Sequence, residues 1–266
     1  MSFSIEGKTA IVTGAANGVG LAIARHFAQR GANVMFADID ETRLCKEVGE
    51  VVEDGNMRYF AGDLRERLTL ANLLSATLDA YDRVDILVNG SRQIIASDPL
   101  DIDDTSVESL LDQNLMTALR LSQVVARRMI KQAGDDSEGP IGTIVNLSSI
   151  AARLTHPDLL AYSVSCAALD QMTRSLAVAL APNRIRVNAL AFGSVMSASL
   201  KAALKDNPDY RDDIESHTPL GRIASPMELA EAVQFLASEG SGFMTGQVMT
   251  VDGGRTLLDP AAAPAH

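Results

Sequence analysis

The chain has 266 residues, of which 47% are hydrophobic and 21% are charged, the balance of a folded globular protein rather than a disordered one. Its net charge of -11 comes with no basic block, which argues against nucleic-acid binding, and no apolar run is long enough to span a membrane. The first residues show no export signal, so we expect a cytoplasmic protein. Cys45 and Cys166 are too few for a disulfide scaffold and are not spaced for metal, which predicts free thiols and no metal site.

The N-terminal segments alternate between strand-like and helix-like patterns. KTAIVT (8–13) and NVMFAD (33–38) are short apolar runs, and GVGLAIARHFAQRG (18–31) between them is helical with a glycine at its end. This order predicts a strand–helix–strand unit.

The same alternation continues along the chain. We predict helices near 41–53, 66–81, 104–132 and 159–181, and strands at 57–62, 84–89, 142–149 and 184–190. Apolar runs this continuous are typical of strands buried on both faces, which requires a parallel sheet covered by helices. The predicted fold class is α/β, a Rossmann-like doubly wound parallel sheet flanked by helices on both faces.

Two segments interrupt this alternation. Residues 132–142 have the composition of a surface loop, and residues 192–226 form a long mixed insertion at the carboxyl end of a strand, which predicts a lid over a site. No repeat or linker divides the chain. We therefore expect a single domain over residues 1–266, with a loose tail at about 257–266.

The stretch TGAANGVG (13–20) follows the first strand and opens the first helix. Gly14, Gly18 and Gly20 allow the backbone to turn tightly and to approach a pyrophosphate, whose charge would meet the free N–H groups of the helix N-terminus. A tight turn without a ligand would also use glycine. The strand, the helix and a later acidic residue together favour dinucleotide binding.

That acidic residue is Asp38, at the end of the second strand. Its carboxylate can accept hydrogen bonds from an adenosine ribose and would repel a 2′-phosphate, so NAD is predicted rather than NADP. Arg43 lies too far along the next helix to reverse this preference. The alternative is an ordinary acidic turn.

These motifs resemble those of a short-chain dehydrogenase/reductase of the single-domain kind, over residues 5–255. The family pattern TGxxxGxG is matched by Thr13 to Gly20, and VDGG at 251–254 also matches. The resemblance implies an adenine contact at Asp63 in AGDL. The cofactor-binding residues that it implies are Gly14, Asn17, Gly18, Val19, Gly20, Asp38, Asp63, Leu64, Asn89, Tyr162, Gly193 and Val195.

The resemblance also implies a catalytic group of Asn114 in LDQNL, Ser149 in NLSSI and Tyr162 in AYSVSC. When hydride passes between a carbinol and a nicotinamide, a proton must leave or join the oxygen, which requires an acid/base group. Tyr162 would supply it, Ser149 would hold the same oxygen, and Asn114 would support a water relay. The implied activity is NAD(H)-dependent interconversion of a secondary alcohol and a ketone, on a small-molecule substrate that no residue pattern identifies.

Cys166 stands where the family has a lysine, four residues after the tyrosine. A lysine there would lie on the same helix face, favour the phenolate and hydrogen-bond the nicotinamide ribose. A thiol is a weak donor and is negative when ionised, so we expect impaired turnover. The alternative function is an NAD-binding protein that acts as a sensor or a silent subunit. Arg153, from an adjoining segment, is a candidate replacement cation.

Two further departures fall near the same predicted site. Arg92 in NGSR stands where a family glycine approaches the cofactor, and Phe192 replaces the proline usual before Gly193. In the simplest interpretation Arg92 points to solvent and Phe192 only fills space. A nucleophilic Cys166 is a weaker alternative, because no histidine is placed to activate it.

The resemblance implies a homotetramer or a dimer, formed by the helices at 104–132 and 159–181. The apolar positions of these helices equally suit contacts inside one subunit. His26 lies on the first helix and is interpreted as structural, whereas His156 and His217 flank the expected substrate pocket.

Overall fold

A computed structural model describes residues 3–49, 55–134 and 139–259. The described strands form one seven-stranded sheet in the order β3-β2-β1-β4-β5-β6-β7, and every neighbouring pair is parallel. The predicted fold class is confirmed. The strands are β1 Thr9–Thr13, β2 Asn33–Asp38, β3 Met57–Ala61, β4 Ile86–Asn89, β5 Gly142–Ser149, β6 Ile185–Phe192 and β7 Val248–Val251.

Helices cover both faces of this sheet. They are α1 Gly18–Gln29, α2 Glu41–Val48, α3 Arg67–Tyr81, α4 Ser106–Leu110, α5 Thr117–Ala133, α6 Leu160–Leu180, α7 Ala198–Asp206, α8 Asp209–Ser216 and α9 Pro226–Ala237. Along β1, Val12 points into the core shared with α1 and α9, and its neighbour Ile11 points into the core shared with α3 and α5. The central strand β1 therefore buries both of its faces, which is why its apolar run is continuous.

The order of the strands reverses at β1, which lies between β2 and β4. In an open parallel sheet, ligands bind in the crevice at the carboxyl ends of the strands on either side of such a reversal. Thr13 ends β1 there, and its Oγ1 accepts hydrogen bonds from the backbone N–H of Gly90 at 2.9 Å and of Ser91 at 3.1 Å. The loop after β4 is thereby tied to the loop after β1.

The helix predicted over 104–132 is not continuous. It consists of α4, a π-helical turn at Leu111–Met116 and α5. The 3.6-residue pattern does not reveal the turn, because a π turn adds one residue while apolar positions continue on both sides. The same segment contains Asn114.

The C-terminal elements α9 and β7 were missed by the sequence analysis. The helix begins with a capping box, in which the backbone of Ser225 and the side chain of Glu228 are hydrogen-bonded, followed by Pro226, so its signature was present in the sequence. The strand is only four half-buried residues long and gives a weak pattern.

Several predicted segments extend outside the described residues. The helix near 41–53 ends at Val48, and its remainder at 50–54 is not described; the same holds for 135–138 of the predicted loop and 260–266 of the predicted tail. The insertion at 192–226 contains α7 and α8, and its base is closed by a parallel bridge between Val195 and Ala224. Within the described ranges, no helix has both the length and the apolar character needed to cross a membrane.

Candidate active site

The glycine-rich loop makes two close backbone contacts that exclude side chains. A Cβ on Gly14, which has φ +70°, would lie 2.5 Å from the carbonyl oxygen of Gly90, and a Cβ on Gly20 would lie 2.2 Å from that of Gly14. Gly18 differs, because at φ +57° its Cβ would approach nothing closer than Cβ of Ser197, at 4.0 Å. Gly18 therefore begins α1 facing open space.

That open space is a cavity of about 450 Å³ at the carboxyl ends of the strands. Its lining brings together most of the predicted cofactor residues, namely Gly14, Asn17, Gly18, Val19, Gly20, Asp38, Asp63 and Leu64. The lining also includes residues that the sequence analysis did not assign to the cofactor, namely Arg65, Ser91, Arg92, Gln93, Ile94 and Ser197. These residues extend the cavity from the glycine loop towards the loop after β4.

A second cavity of about 600 Å³ lies at the opposite ends of the strands, beside Lys8, Asp85 and Arg186. It is the larger of the two, but its described lining contains none of the predicted site residues. Ligand sites in this architecture lie at the carboxyl ends of the strands, so the smaller cavity is the candidate site.

Asp38 is held by the backbone at the edge of the candidate site. Its Oδ2 accepts a hydrogen bond from the N–H of Ala16 at 3.0 Å, and its Oδ1 accepts one from the N–H of Asp40 at 3.1 Å. Arg43 forms an ion pair with Asp40, at 3.3 Å. The cation nearest in sequence to Asp38 is thus engaged by a different carboxylate.

Asp63 lines the cavity together with Arg65. The Arg65 guanidinium donates to Oδ1 at 2.9 Å through Nε and to Oδ2 at 2.5 Å through Nη2. These hydrogen bonds hold the pKa of Asp63 below its usual range. Arg65, which the sequence analysis did not identify, therefore lies beside the predicted adenine contact at Asp63.

Four of the predicted cofactor residues fall outside the cavity lining formed by the described residues: Asn89, Tyr162, Gly193 and Val195. The buried Asn89 side chain donates to Oγ of Ser122 at 3.0 Å and to Oδ1 of Asn146 at 2.8 Å, which joins β4, α5 and β5. The Asn89 side chain therefore connects these three elements and does not line the cavity.

Tyr162 lies in the first turn of α6 and is only 3% exposed. Its hydroxyl accepts a hydrogen bond from Nη1 of Arg92 at 2.9 Å. Burial raises the pKa of Tyr162 above its ordinary value; Arg92 and Ser149 oppose this, whereas Cys166 adds to it. Ser149 ends β5 and lies beside Tyr162.

Arg92 has two further contacts beside its bond to Tyr162. Nη1 also approaches the carbonyl oxygen of Ser148 at 3.4 Å, and the guanidinium carbon lies 4.3 Å from the centre of the Phe192 ring. The interpretation of Arg92 as a solvent-facing side chain is therefore wrong. The sequence analysis placed Arg92 and Phe192 near the same predicted site but missed their contacts, because the three side chains come from different elements.

Cys166 is buried one helical turn after Tyr162. Burial raises the pKa of its thiol, and the nearby Arg92 opposes that shift. Burial therefore favours the neutral thiol over the thiolate. Arg153, the candidate replacement cation, donates instead to Oγ1 of Thr250 at 3.2 Å.

Asn114 projects from the π-helical turn and is buried. Its Oδ1 accepts from the backbone N–H of Gln93 at 2.8 Å, and its Nδ2 donates to the carbonyl of Gln93 at 3.0 Å and to Oγ of Ser165 at 3.1 Å. The amide group thus clamps the residue that follows Arg92 and connects it to α6.

The three histidines within the described residues do not contribute to this cluster. His26 is buried and its Nε2 lies 2.6 Å from Oε1 of Gln234, so its predicted structural role is confirmed. His156 and His217 are exposed beside acidic residues of their own segments. Within the residues that the structure describes, no group of histidine, cysteine and acidic side chains is arranged to hold a metal ion.

Comparisons with known proteins agree with this architecture. Residues 14–256 match the protein family described as Enoyl-(Acyl carrier protein) reductase. A 3-oxoacyl-(acyl-carrier-protein) reductase of Thermotoga maritima is 33% identical over 256 residues, which are 95% of this chain and 99% of that protein.

Two solved structures are similar over nearly their whole length. A 7α-hydroxysteroid dehydrogenase in complex with NADH and 7-oxo glycochenodeoxycholic acid has a TM-score of 0.86 and 31% identity, and the match covers 95% of this chain and 96% of that one. A gluconate 5-dehydrogenase from Burkholderia cenocepacia in complex with NADP and tartrate has a TM-score of 0.85 and 29% identity, over 97% and 98%. The chain belongs to the short-chain dehydrogenase/reductase family of oxidoreductases.

Proposed function

We propose that this protein is an NAD(H)-dependent oxidoreductase that interconverts a secondary alcohol and a ketone. The observation that carries the proposal is the continuity of the 450 Å³ cavity, which runs from Asp38 and the glycine loop to Arg92. Arg92 in turn touches the hydroxyl of Tyr162, the candidate acid/base group. The proposed dinucleotide site and the proposed proton-transfer site are therefore adjacent.

The residues of the glycine loop fit a dinucleotide. The turn at Gly14 brings the start of α1 to the cavity, and Gly18 leaves room there for a pyrophosphate. Among the described residues, no side chain caps the first turn of α1, and that turn contains no acidic residue. Its N–H groups would bind the phosphates, as helix N-termini do for anions in other proteins.

We infer NAD rather than NADP from the acidic edge of the cavity. Asp38 would hydrogen-bond the adenosine ribose and repel a 2′-phosphate, and Arg43 is engaged by Asp40 rather than free to bind that phosphate. The solved relatives use both cofactors, since one contains NADH and the other NADP. The choice therefore depends on this chain's own residues.

When bound, the nicotinamide would accept or supply the hydride. Tyr162 would take the proton from the alcohol oxygen during oxidation and return it during reduction. Ser149, which lies beside Tyr162, would hold the same oxygen. Both atoms of the Asn114 amide are already engaged, which favours a role in holding the loop after β4 over the predicted water relay.

A second candidate function is an NAD-binding protein with little turnover, acting as a sensor or a silent subunit. The observation that favours it is the environment of Tyr162, whose pKa is raised by burial and by the neighbouring Cys166. A phenol with a raised pKa is a weak base at neutral pH. The glycine loop and Asp38 serve both candidates.

The lid, the oligomeric state and the cellular location of the protein are also proposals. The segment at 192–226 would act as the substrate lid of a single domain over residues 1–266. Two valines on α6, Val164 and Val178, are 43% and 78% exposed, which supports docking of a second copy on this helix in a dimer or tetramer. The cytoplasmic location remains a prediction from the N-terminal sequence.

Titration of NADH and NADPH by fluorescence tests the cofactor. We expect tighter binding of NADH, and Asp38→Ser, which keeps an acceptor for the N–H of Ala16, is expected to reduce the preference. Tighter binding of NADPH would contradict the choice of cofactor, and binding of neither would contradict the function.

A screen of secondary alcohols and ketones then separates the two candidate functions. The native protein is compared with Cys166→Lys, which supplies the family's cation. Turnover that occurs only in the lysine variant would support the second candidate. Comparable turnover in both would support the enzyme and would require another cation at Tyr162.

A further inference from the structure

We propose that Arg92 supplies the positive charge that allows Tyr162 to act as an acid and a base in this protein. The inference rests on the proposed oxidoreductase function. Arg92 acts through Tyr162 and is therefore a positioning residue. The Phe192 ring and the anchored loop after β4 hold its guanidinium in place.

The need for a cation follows from the position of Tyr162. A tyrosine titrates near pH 10, so only about one molecule in a thousand is phenolate at neutral pH. Burial makes the charged form still less favourable. An arginine keeps its charge at every working pH and, unlike a buried lysine, does not lose its proton to relieve desolvation.

The hydrogen bond between the two groups has a defined direction. A guanidinium can only donate, so the Tyr162 oxygen is the acceptor in the 2.9 Å bond from Arg92. Such a bond stabilises the phenolate more than the phenol, because both the charge and the donor favour the negative form.

The guanidinium is fixed by the residues around it. The Phe192 ring lies 4.3 Å below its central carbon, and the carbonyl oxygen of Ser148 receives a second hydrogen bond at 3.4 Å. A planar cation stacks well on an aromatic face, whereas the proline expected at position 192 would offer no such surface. Arg92 and Phe192 therefore act together and are not two unrelated departures from the family pattern.

The backbone on either side of Arg92 is also anchored. Before it, the N–H of Ser91 donates to Oγ1 of Thr13 at 3.1 Å. After it, both backbone groups of Gln93 are bound by the Asn114 amide, at 2.8 and 3.0 Å. The charge is thus held in place before any reaction, which is the arrangement that makes electrostatic stabilisation effective. Asn114 acts on Tyr162 through this loop.

The other groups that face Tyr162 do not supply a positive charge. Ser149 at the end of β5 is neutral, and Cys166 on α6 raises the pKa of Tyr162. Asp170, one turn beyond Cys166, acts on that thiol as a negative group. Within the described part of the chain, Arg92 is the cation hydrogen-bonded to the Tyr162 hydroxyl.

The test measures the ionisation of Tyr162 directly, without cofactor or substrate. The full-length protein is labelled with 3-fluorotyrosine, whose phenol is more acidic than that of tyrosine, and each of its 4 tyrosines is followed by fluorine NMR against pH. Tyr162→Phe assigns the resonance. Arg92→Gln and Arg92→Met both remove the charge, and the methionine keeps an apolar stem over the ring if glutamine is not tolerated.

Two variants serve as controls. Arg92→Lys keeps a charge at the position, and Arg153→Gln removes the same charge from an arginine that is bound to Thr250 instead. We expect loss of the Arg92 charge to raise the pKa of Tyr162 by about one unit or more. Arg92→Lys is expected to raise it less, and Arg153→Gln to leave it unchanged. An unchanged pKa in Arg92→Gln and Arg92→Met would overturn the proposal.

Activity provides a second readout. Because Cys166→Lys returns a cation to the helix face of Tyr162, the loss caused by Arg92→Gln should be smaller in that background than in the native one. If replacing Arg92 changes the pKa of Tyr162 and no variant turns over any alcohol or ketone, the proposed function fails and the assignment of Arg92 stands. If the variants are active on an alcohol or a ketone and the pKa of Tyr162 does not change when Arg92 is replaced, only the assignment of Arg92 fails.

Discussion

Substitution of Gly18 by alanine separates binding from folding in the glycine-rich loop. Gly18 has φ +57°, and an added Cβ would meet only Ser197 Cβ, at 4.0 Å. Its methyl group would project into the cavity beside the first turn of α1. The substitution therefore adds backbone strain and occupies space that we assign to a pyrophosphate.

Gly7→Ala is the matched control for the strain. Gly7 has φ +71° and open space around its missing side chain, but it lies before β1. A left-handed backbone costs an ordinary residue about 1–2 kcal/mol, so both variants should lose about that much free energy of unfolding. For a domain of this size the loss corresponds to a fall in Tm of about 2–8 °C.

The two variants are expected to differ in cofactor binding. A methyl group between the phosphates and the helix N–H groups should weaken NADH binding by about tenfold or more, or at least about 1.4 kcal/mol, in Gly18→Ala alone. Thermal unfolding measures the first effect and NADH fluorescence titration the second. Equal dissociation constants for the two variants would refute the placement of the pyrophosphate at Gly18.

Three further outcomes are expected. A thiol reagent should modify the exposed Cys45 quickly and the buried Cys166 only on unfolding, as measured by absorbance with and without denaturant. Hydrogen bonds with Arg222 and the backbone lower the pKa of Glu228 to about 2. The stability that Glu228 contributes is therefore complete above its ordinary pKa of 4.5 and is lost as the pH falls towards 2. Glu228→Gln should show a shallower fall of Tm over that pH range. Phe192→Leu removes the ring under the guanidinium, worth about 0.5–2 kcal/mol, and should lower Tm and raise the pKa of Tyr162 in the fluorine titration; an unchanged titration would mean that the ring does not hold the cation.

The glycine loop could be predicted because its information is local. Gly14, Gly18 and Gly20 lie within seven residues that join one strand to one helix, and Asp38 ends the next strand along the chain. The period of the apolar positions was equally local, and it was sufficient to predict the parallel sheet and most of its helices.

The contacts of Arg92 could not be predicted in the same way. Its partners Tyr162 and Phe192 follow it by 70 and 100 positions, and only the order of the strands brings β4, β5 and β6 side by side. The sequence did contain a signal, since three departures from one family pattern fell near one site. What it did not contain was the direction of the arginine side chain, which depends on the clamp by Asn114.

The π-helical turn at Leu111–Met116 has a consequence for how related chains would be aligned with this one. A π turn holds one residue more than an α turn, so deleting a single residue there would restore a regular helix from α4 to α5. The side chains on one side of the deletion would rotate by about 100° relative to those on the other. Asn114 would then leave the loop after β4, while the sheet would be unchanged. A one-residue gap in this stretch therefore changes the site without changing the fold.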